Sequence, residues 1–111
     1  MAAEKQFENK IKRYLKTRGH WFVKFFANAF TPAGIPDILA CIRGRFVAIE
    51  VKGGSSYGLT ELQKFNLRCI RARGGVAICV YPSGWEQFTN LVEQLEAGEP
   101  VEVTEDNYIL K

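Results

Sequence analysis

The stretch Gly34-Ile35-Pro36-Asp37-Ile38-Leu39-Ala40-Cys41-Ile42-Arg43-Gly44-Arg45-Phe46-Val47-Ala48-Ile49-Glu50-Val51-Lys52 decides how the rest of the chain is read. It predicts two strands joined by a tight turn at Arg43-Gly44-Arg45, with Gly44 free to take a positive φ. Residues 37–43 are apolar at both parities, which predicts an internal strand. In residues 46–52, Val47, Ile49 and Val51 form one apolar face. The other face runs Phe46, Ala48, Glu50, Lys52 and turns from apolar to charged at its end. Asp37 opens the first strand directly after a turn-forming Gly-Ile-Pro. Two acids and an ammonium thus stand at the ends of neighbouring apolar strands, a costly place for charge that nothing uses.

Around this hairpin the chain supplies a basic helix and a crossover. Residues 4–18 carry Phe7, Ile11, Tyr14 and Leu15 on one stripe, with Gly19 as the stop. Lys5, Lys10, Lys12, Arg13, Lys16 and Arg18 crowd the remaining surface, and Glu4 and Glu8 lie one turn apart beside the stripe. His20–Phe26 is aromatic and β-branched enough for a strand. His20, the single histidine, reads as a surface or capping residue. Residues 27–36, with two prolines and a glycine, form a loop that delivers the chain into Asp37.

Gly53–Gly58 is a flexible loop containing Ser55, and its glycines lack the spacing of a phosphate-cradling P-loop. Thr60 and Gln63 form a capping box for a helix reaching about Arg73. Leu62, Phe65, Cys69 and Ile70 are expected inward, and Lys64, Arg68 and Arg71 outward. Residues 76–81 are a fully apolar strand, so 46–81 is a βαβ unit with parallel strands. A helix at about 84–97 follows, capped by Ser83, with Trp85, Phe88, Leu91, Val92 and Leu95 as its core stripe. The remaining residues allow one or two short strands or an appendage.

A chain of 111 residues suits one domain, 1–111, with a core at about 4–82 and a C-terminal helix and tail at 83–111. The order is α-β-β-β-α-β-α, an α/β class with a central mixed sheet flanked by helices. No apolar run approaches the roughly 20 residues of a membrane span, and the N-terminus lacks the apolar core of a secretory signal. Cys41, Cys69 and Cys79 sit among apolar neighbours without metal-binding spacing. They are expected as small buried residues in a reducing, cytoplasmic compartment. The net charge of +3 conceals 14 Lys/Arg against 5 Asp/Glu through residue 80, and Lys111 against 7 acids beyond it. A basic body with an acidic end suits a polyanionic partner on one side.

Asp37, Glu50 and Lys52 are the residue types that metal-assisted phosphodiester hydrolysis requires. Two carboxylates are hard donors for Mg²⁺ or Mn²⁺, which polarises phosphorus and lowers the pKa of water. Lys52 suits orienting or deprotonating that water, or offsetting charge on the phosphate. The Val51 carbonyl, between them, is a further candidate ligand. Glu8 is the candidate acid from the first helix, with Glu4 as its competitor, and Gln63 the candidate amide. The ordinary readings compete: Asp37 as a turn residue, Glu50 and Lys52 as a solvated rim pair, and Gln63 as a cap.

In this order, F-E-N at Phe7–Asn9, G-I-P-D at Gly34–Asp37, E-V-K at Glu50–Lys52 and T-E-L-Q at Thr60–Gln63 resemble the PD-(D/E)xK nuclease superfamily. The fuller pattern looks like its VRR-NUC family, and it is similar also to archaeal Holliday-junction resolvases. The resemblance covers residues 4–82 and leaves 83–111 unconstrained. It implies a restriction-endonuclease-like core and a Mg²⁺- or Mn²⁺-dependent DNA endonuclease. Asp37, Glu50 and Glu8 would be the metal acids, Lys52 the catalytic lysine, and Gln63 the crossover-helix glutamine. Small members are commonly viral and dimeric and prefer branched or junction-like DNA, so a homodimer is expected. Lys10, Lys12, Arg13, Lys16, Lys64, Arg68, Arg71 and Ser55 are the candidate nucleic-acid contacts. The alternatives are a non-catalytic nucleic-acid-binding module of the same fold and a restriction-type nuclease subunit.

Overall fold

The computed structural model describes residues 2–54 and 56–111. The protein is α/β, with a five-stranded mixed sheet flanked by helices. Helix α1 (Ala2–Thr17) leads into β1 (Trp21–Lys24), β2 (Ile38–Ile42) and β3 (Arg45–Val51). Helix α2 (Glu61–Ala72), β4 (Val76–Val80), a 3-10 turn (Pro82–Gly84), α3 (Trp85–Glu96) and β5 (Ile109–Leu110) complete it. The spatial order is β1-β2-β3-β4-β5, antiparallel from β1 to β3 and parallel from β3 to β5. The tail thus supplies one short edge strand.

The β2–β3 hairpin closes with Ile42 opposite Arg45, so the loop is the two residues Arg43 and Gly44. Both have positive φ, 49° and 79°, the conformation whose twist matches the flanking strands. Alternation along β3 then divides the core. Val47, Ile49 and Val51 join Ile38, Ala40, Ile42, Val76, Ile78 and Val80 under α1 and α3. Ala48 joins Ala77, Cys79 and Tyr81 under Leu67 and Ile70 of α2. The capping box forms as expected: the Thr60 hydroxyl accepts from the Gln63 N–H, and the Gln63 amide oxygen accepts from the Thr60 N–H.

Several expectations need correction. The inward stripe of α2 runs Gln63, Leu67, Ile70, spaced i, i+4, i+7, and Leu67 is its fully buried member. Leu62 and Phe65 face outward, 46% and 53% exposed. Because the top of the stripe is polar, counting apolar residues sets the helix in the wrong phase. Helix α2 covers the β3–β4 side of its sheet face and leaves Trp21, Cys41 and Phe46, aligned across β1, β2 and β3, exposed. Strand β2 is internal to the sheet yet open on that face. Of the three cysteines only Cys79 is buried, and Cys69 is half-buried. Ser83 makes no capping hydrogen bond; Gly84 occupies the N-cap of α3. No helix of the described residues is long and apolar enough to cross a membrane.

Candidate active site

The end of the sheet where β2 begins and β3 finishes gathers the charged residues. Glu50 and Lys52 are buried, 4% and 8% exposed, on the sheet face that α2 covers. Glu50 stands directly beside Cys79 of β4, so the site has an apolar floor. Burial, and then the Glu50 charge, pushes the Cys79 thiol up to about 12. Asp37 is anchored by its Oδ2, which accepts the Val51 N–H at 2.7 Å. That bond fastens the start of β2 to the end of β3.

Gln63 ties the cluster to α2. Its Nε2 donates to Glu50 Oε2 at 3.1 Å, and its Oε1 accepts from Lys52 Nζ at 3.2 Å as well as from the Thr60 N–H at 2.9 Å. The capping bond thereby fixes which end of the amide meets the acid and which meets the ammonium. Lys52 Nζ lies 3.9 Å from Glu50 Oε2. Two glycines permit the closeness of these elements. A Cβ on Gly34, whose φ is +79°, would lie 2.9 Å from the Leu62 backbone. One on Gly53 would lie 2.8 Å from the Glu4 nitrogen, where the first turn of α1 meets the chain just beyond Lys52.

Glu8 reaches this end of the sheet through an intermediary. Buried at 4% exposure, it receives Lys24 Nζ at 2.8 Å, with Lys12 at 3.3 Å and Lys5 at 3.8 Å. Lys24 also lies 3.4 Å from Asp37 Oδ1, bridging the two acids. Burial raises the Glu8 pKa, but the Lys24 bond and charge, followed by Lys12, outweigh it and hold the carboxyl below its usual range. Burial disfavours the Lys24 ammonium, and Glu8 with Asp37 reverses that, leaving its pKa raised. Glu4 acts on Glu50 directly, its charge being one of those that raise the Glu50 pKa.

Lys24 is the site residue that sequence reading missed. A signal for it exists: Lys24 shares the parity of Phe22, which packs on the core, and a charge at a core-facing strand position requires a partner. Other expected contacts lie elsewhere. Lys10 Nζ sits 4.3 Å over the Trp85 ring, and Lys10 and Arg13 line an α1–α3 groove away from the acids. Arg71 pairs with Glu105 and lies over the Tyr108 ring, while Arg68 reaches Glu105 at 3.3 Å. The acidic tail therefore neutralises one end of α2, and Arg71, with only 8% of its side chain exposed, is withdrawn from solvent. Lys64 pairs with Glu61 at 3.1 Å, whereas Arg13 and Lys16 stay exposed. Ser55 lies outside the described residues.

The electrostatics of Asp37 and Glu50 carry the chemical meaning. Burial, followed by the Asp37 charge and a hydrogen bond to Asp37, pushes Glu50 up to about 9; Lys52 opposes this only in part. Two neighbouring carboxyls favour a shared proton or cation, here beside Lys24 at 3.4 Å from Asp37 and Lys52 at 3.9 Å from Glu50. Oxygen donors from Asp37 and Glu50 suit a hard divalent ion with water completing its shell. Glu8 is taken by lysines, and Val51 contributes its N–H to Asp37. Among the described residues no three acidic, histidine or cysteine side chains form a metal-binding group. The side-chain oxygen donors are therefore limited to Asp37 and Glu50.

A mixed α/β sheet with an acid-lysine-amide cluster at one rim is the class of protein that fold and site define. No protein-family model matches the chain, and comparison with curated proteins and with solved structures yields no significant match.

Proposed function

We propose that this protein is a Mg²⁺- or Mn²⁺-dependent DNA endonuclease with a preference for branched or otherwise structured DNA. The observation that supports this most is the crowding of Asp37 and Glu50, which drives Glu50 to about 9, at the end of two strands with Lys52 and Gln63 bonded in place. Asp37 and Glu50 would hold the cation, which when bound supplies a Lewis acid for the phosphoryl oxygen and lowers the pKa of water. Lys52 offsets negative charge growing on the phosphate, or takes the proton of the attacking water. Gln63 orients Lys52 and Glu50 relative to each other. Lys24 keeps Glu8 and Asp37 from repelling each other as the phosphate approaches. Lys12 and Lys5 extend positive charge outward along α1, where phosphate contacts independent of base identity are expected.

Cutting both strands of a branch takes two such sites, so we also propose a homodimer. The uncovered apolar sheet face carrying Trp21, Val23, Cys41 and Phe46, which includes the edge strand β1, is its surface. A contiguous apolar face beside an open edge strand suits a second copy.

The test is cleavage of duplex, nicked, flapped and four-way DNA in Mg²⁺, Mn²⁺ or EDTA, with light scattering at micromolar protein. Cleavage is expected only with metal, and Lys52→Ala should slow it by about a hundred- to a thousandfold. Cutting that survives in EDTA or in Lys52→Ala refutes the mechanism. Binding without any cutting identifies a non-catalytic nucleic-acid module instead. A monomer at that concentration refutes the dimer alone.

A further inference from the structure

The loop between β1 and β2 grows directly out of the acid cluster. Its neck is closed by the Phe25 N–H donating to the Asp37 carbonyl at 2.8 Å, beside the Lys24–Asp37 contact of 3.4 Å. Residues 25–36 contain no charged side chain. At the tip, Phe30 is 96% exposed, and Phe26, nearer the neck, is 72% exposed.

An aromatic so exposed would ordinarily sit on a slack tip, but this tip is braced. The Phe30 N–H donates to Asn28 Oδ1 at 2.7 Å, and the Asn28 N–H donates to Thr31 Oγ1 at 2.9 Å. The Thr31 hydroxyl donates back to the Asn28 carbonyl at 3.0 Å. The returning limb is pinned to α2, where Asn66 Nδ2 donates to the Ala33 carbonyl at 3.3 Å and Gly34 abuts the Leu62 backbone. The same helix holds Gln63. The loop therefore presents a ring to solvent from a frame shared with the site.

We infer that this loop is a base-stacking element, in which Phe30 takes the exposed face of an unpaired or unstacked base while the neighbouring phosphate lies at Lys52, beside Asp37 and Glu50. The inference rests on the endonuclease reading and names the substrate feature that the enzyme selects. A phosphate contact requires a cation, and this loop has none; what it offers is π surface, which every base can meet. Intact duplex buries its base faces in the stack, whereas a flap, nick or branch leaves one open. Each residue of chain spans at most about 3.3–3.6 Å, so Phe30, seven residues from Asp37, lies within roughly 25 Å of it, a reach of a few nucleotides.

The test uses flapped DNA with 2-aminopurine at the unpaired position next to the branch, titrated in EDTA so that nothing is cut. Wild type is expected to quench the fluorescence. Phe30→Ala should lose most of the quench and bind the flap about tenfold more weakly, while Phe30→Trp keeps both. A Phe30→Ala protein that quenches and binds as wild type does overturns the inference. So does one whose only change is dissociation from dimer to monomer, which would make Phe30 a protein contact. Cleavage in Mn²⁺ separates the two readings. If wild type cuts and Phe30→Ala keeps the same flap-to-duplex ratio, stacking fails and the nuclease stands. If wild type quenches but cuts nothing, stacking stands and the nuclease fails.

Discussion

The two ends of the sheet each hold a buried or half-buried ionic cluster, and they differ in how well their charges are matched. At the far end, beside the Arg43-Gly44 turn, Glu96 receives Arg18 through both carboxylate oxygens at 2.6 and 2.7 Å and His20 Nε2 at 2.6 Å. Arg43 donates to the Glu96 carbonyl at 2.8 Å. The Arg18 bond, outweighing burial and helped by His20, holds the Glu96 carboxyl down at about 2. This cluster fastens the end of α3 to the start of β1, and all its parts agree. At the near end Glu8 is held down by its lysines, but Glu50 is driven to about 9 against Asp37. Matched charge marks a joint. Mismatched charge, persisting because a packed sheet holds it there, is what the proposed site would use.

That contrast can be broken most forcefully at Lys24, the cation that joins Glu8 to Asp37. Lys24→Met should lower unfolding stability by about 3 kcal/mol, because it strands a buried carboxylate with only Lys12 and Lys5 beside it. Adding Glu8→Gln should recover most of the loss, since the uncompensated charge is then gone. Urea denaturation of both variants at neutral pH measures this. A Lys24→Met protein as stable as wild type would show that the near cluster is no more dependent on its cation than a surface pair.

Much of this arrangement is legible in the sequence, and the rest is hidden for specific reasons. The alternation Phe46, Ala48, Glu50, Lys52 places both charges on one face because strand parity is local and rigid. The Thr60–Gln63 capping box is equally local, and from it Gln63 reaches the site. Lys24 follows the same parity rule, but among the aromatic residues of 20–26 the segment reads as a block, and the alternation within it goes unused. The phase of α2 is misread because Gln63 occupies a position where apolar counting looks for a hydrophobe. Exposure of Cys41 depends on how far α2 extends across the sheet, a tertiary property without a local signature. The same holds for Glu105, whose pairing with Arg68 and Arg71 joins residues more than 30 positions apart.

The comparison is sharpened by pH. Glu50 has a folded pKa near 9, above its ordinary 4.5, so between those values the folded chain keeps a proton that the unfolded chain has released. Its contribution is complete below 4.5 and declines as pH rises toward 9. From pH 6 to 8 without divalent metal, stability should fall by at most about 1.4 kcal/mol per pH unit. Glu50→Gln should flatten that slope. The shifted pKa values of Glu8 and Lys24 lie in windows below 4.5 and above 10.5, and so do not intrude. Thermal or urea unfolding in EDTA at several pH values reads the slope directly, and an unchanged slope in Glu50→Gln would remove the crowding of Asp37 and Glu50 as its cause.

The smallest effect is expected at the matched end, and its sign is opposite. The Glu96 pKa is depressed, so its contribution is complete above 4.5 and is lost as pH falls toward 2. About a quarter of its side chain is exposed, so water and salt screen the pair, and Glu96→Gln should cost only about 1 kcal/mol at pH 7. That gap should narrow on acidification and in high salt, and cleavage should be unaltered, because nothing at this end touches the acids of the near rim. Urea unfolding of Glu96→Gln at pH 7 and pH 3, in low and high salt, checks it. If instead Glu96→Gln changed cleavage as strongly as Lys52→Ala, the two clusters would be coupled through the length of β1. Mismatch at one end would then be sustained by the match at the other, and the far cluster would belong to the working site.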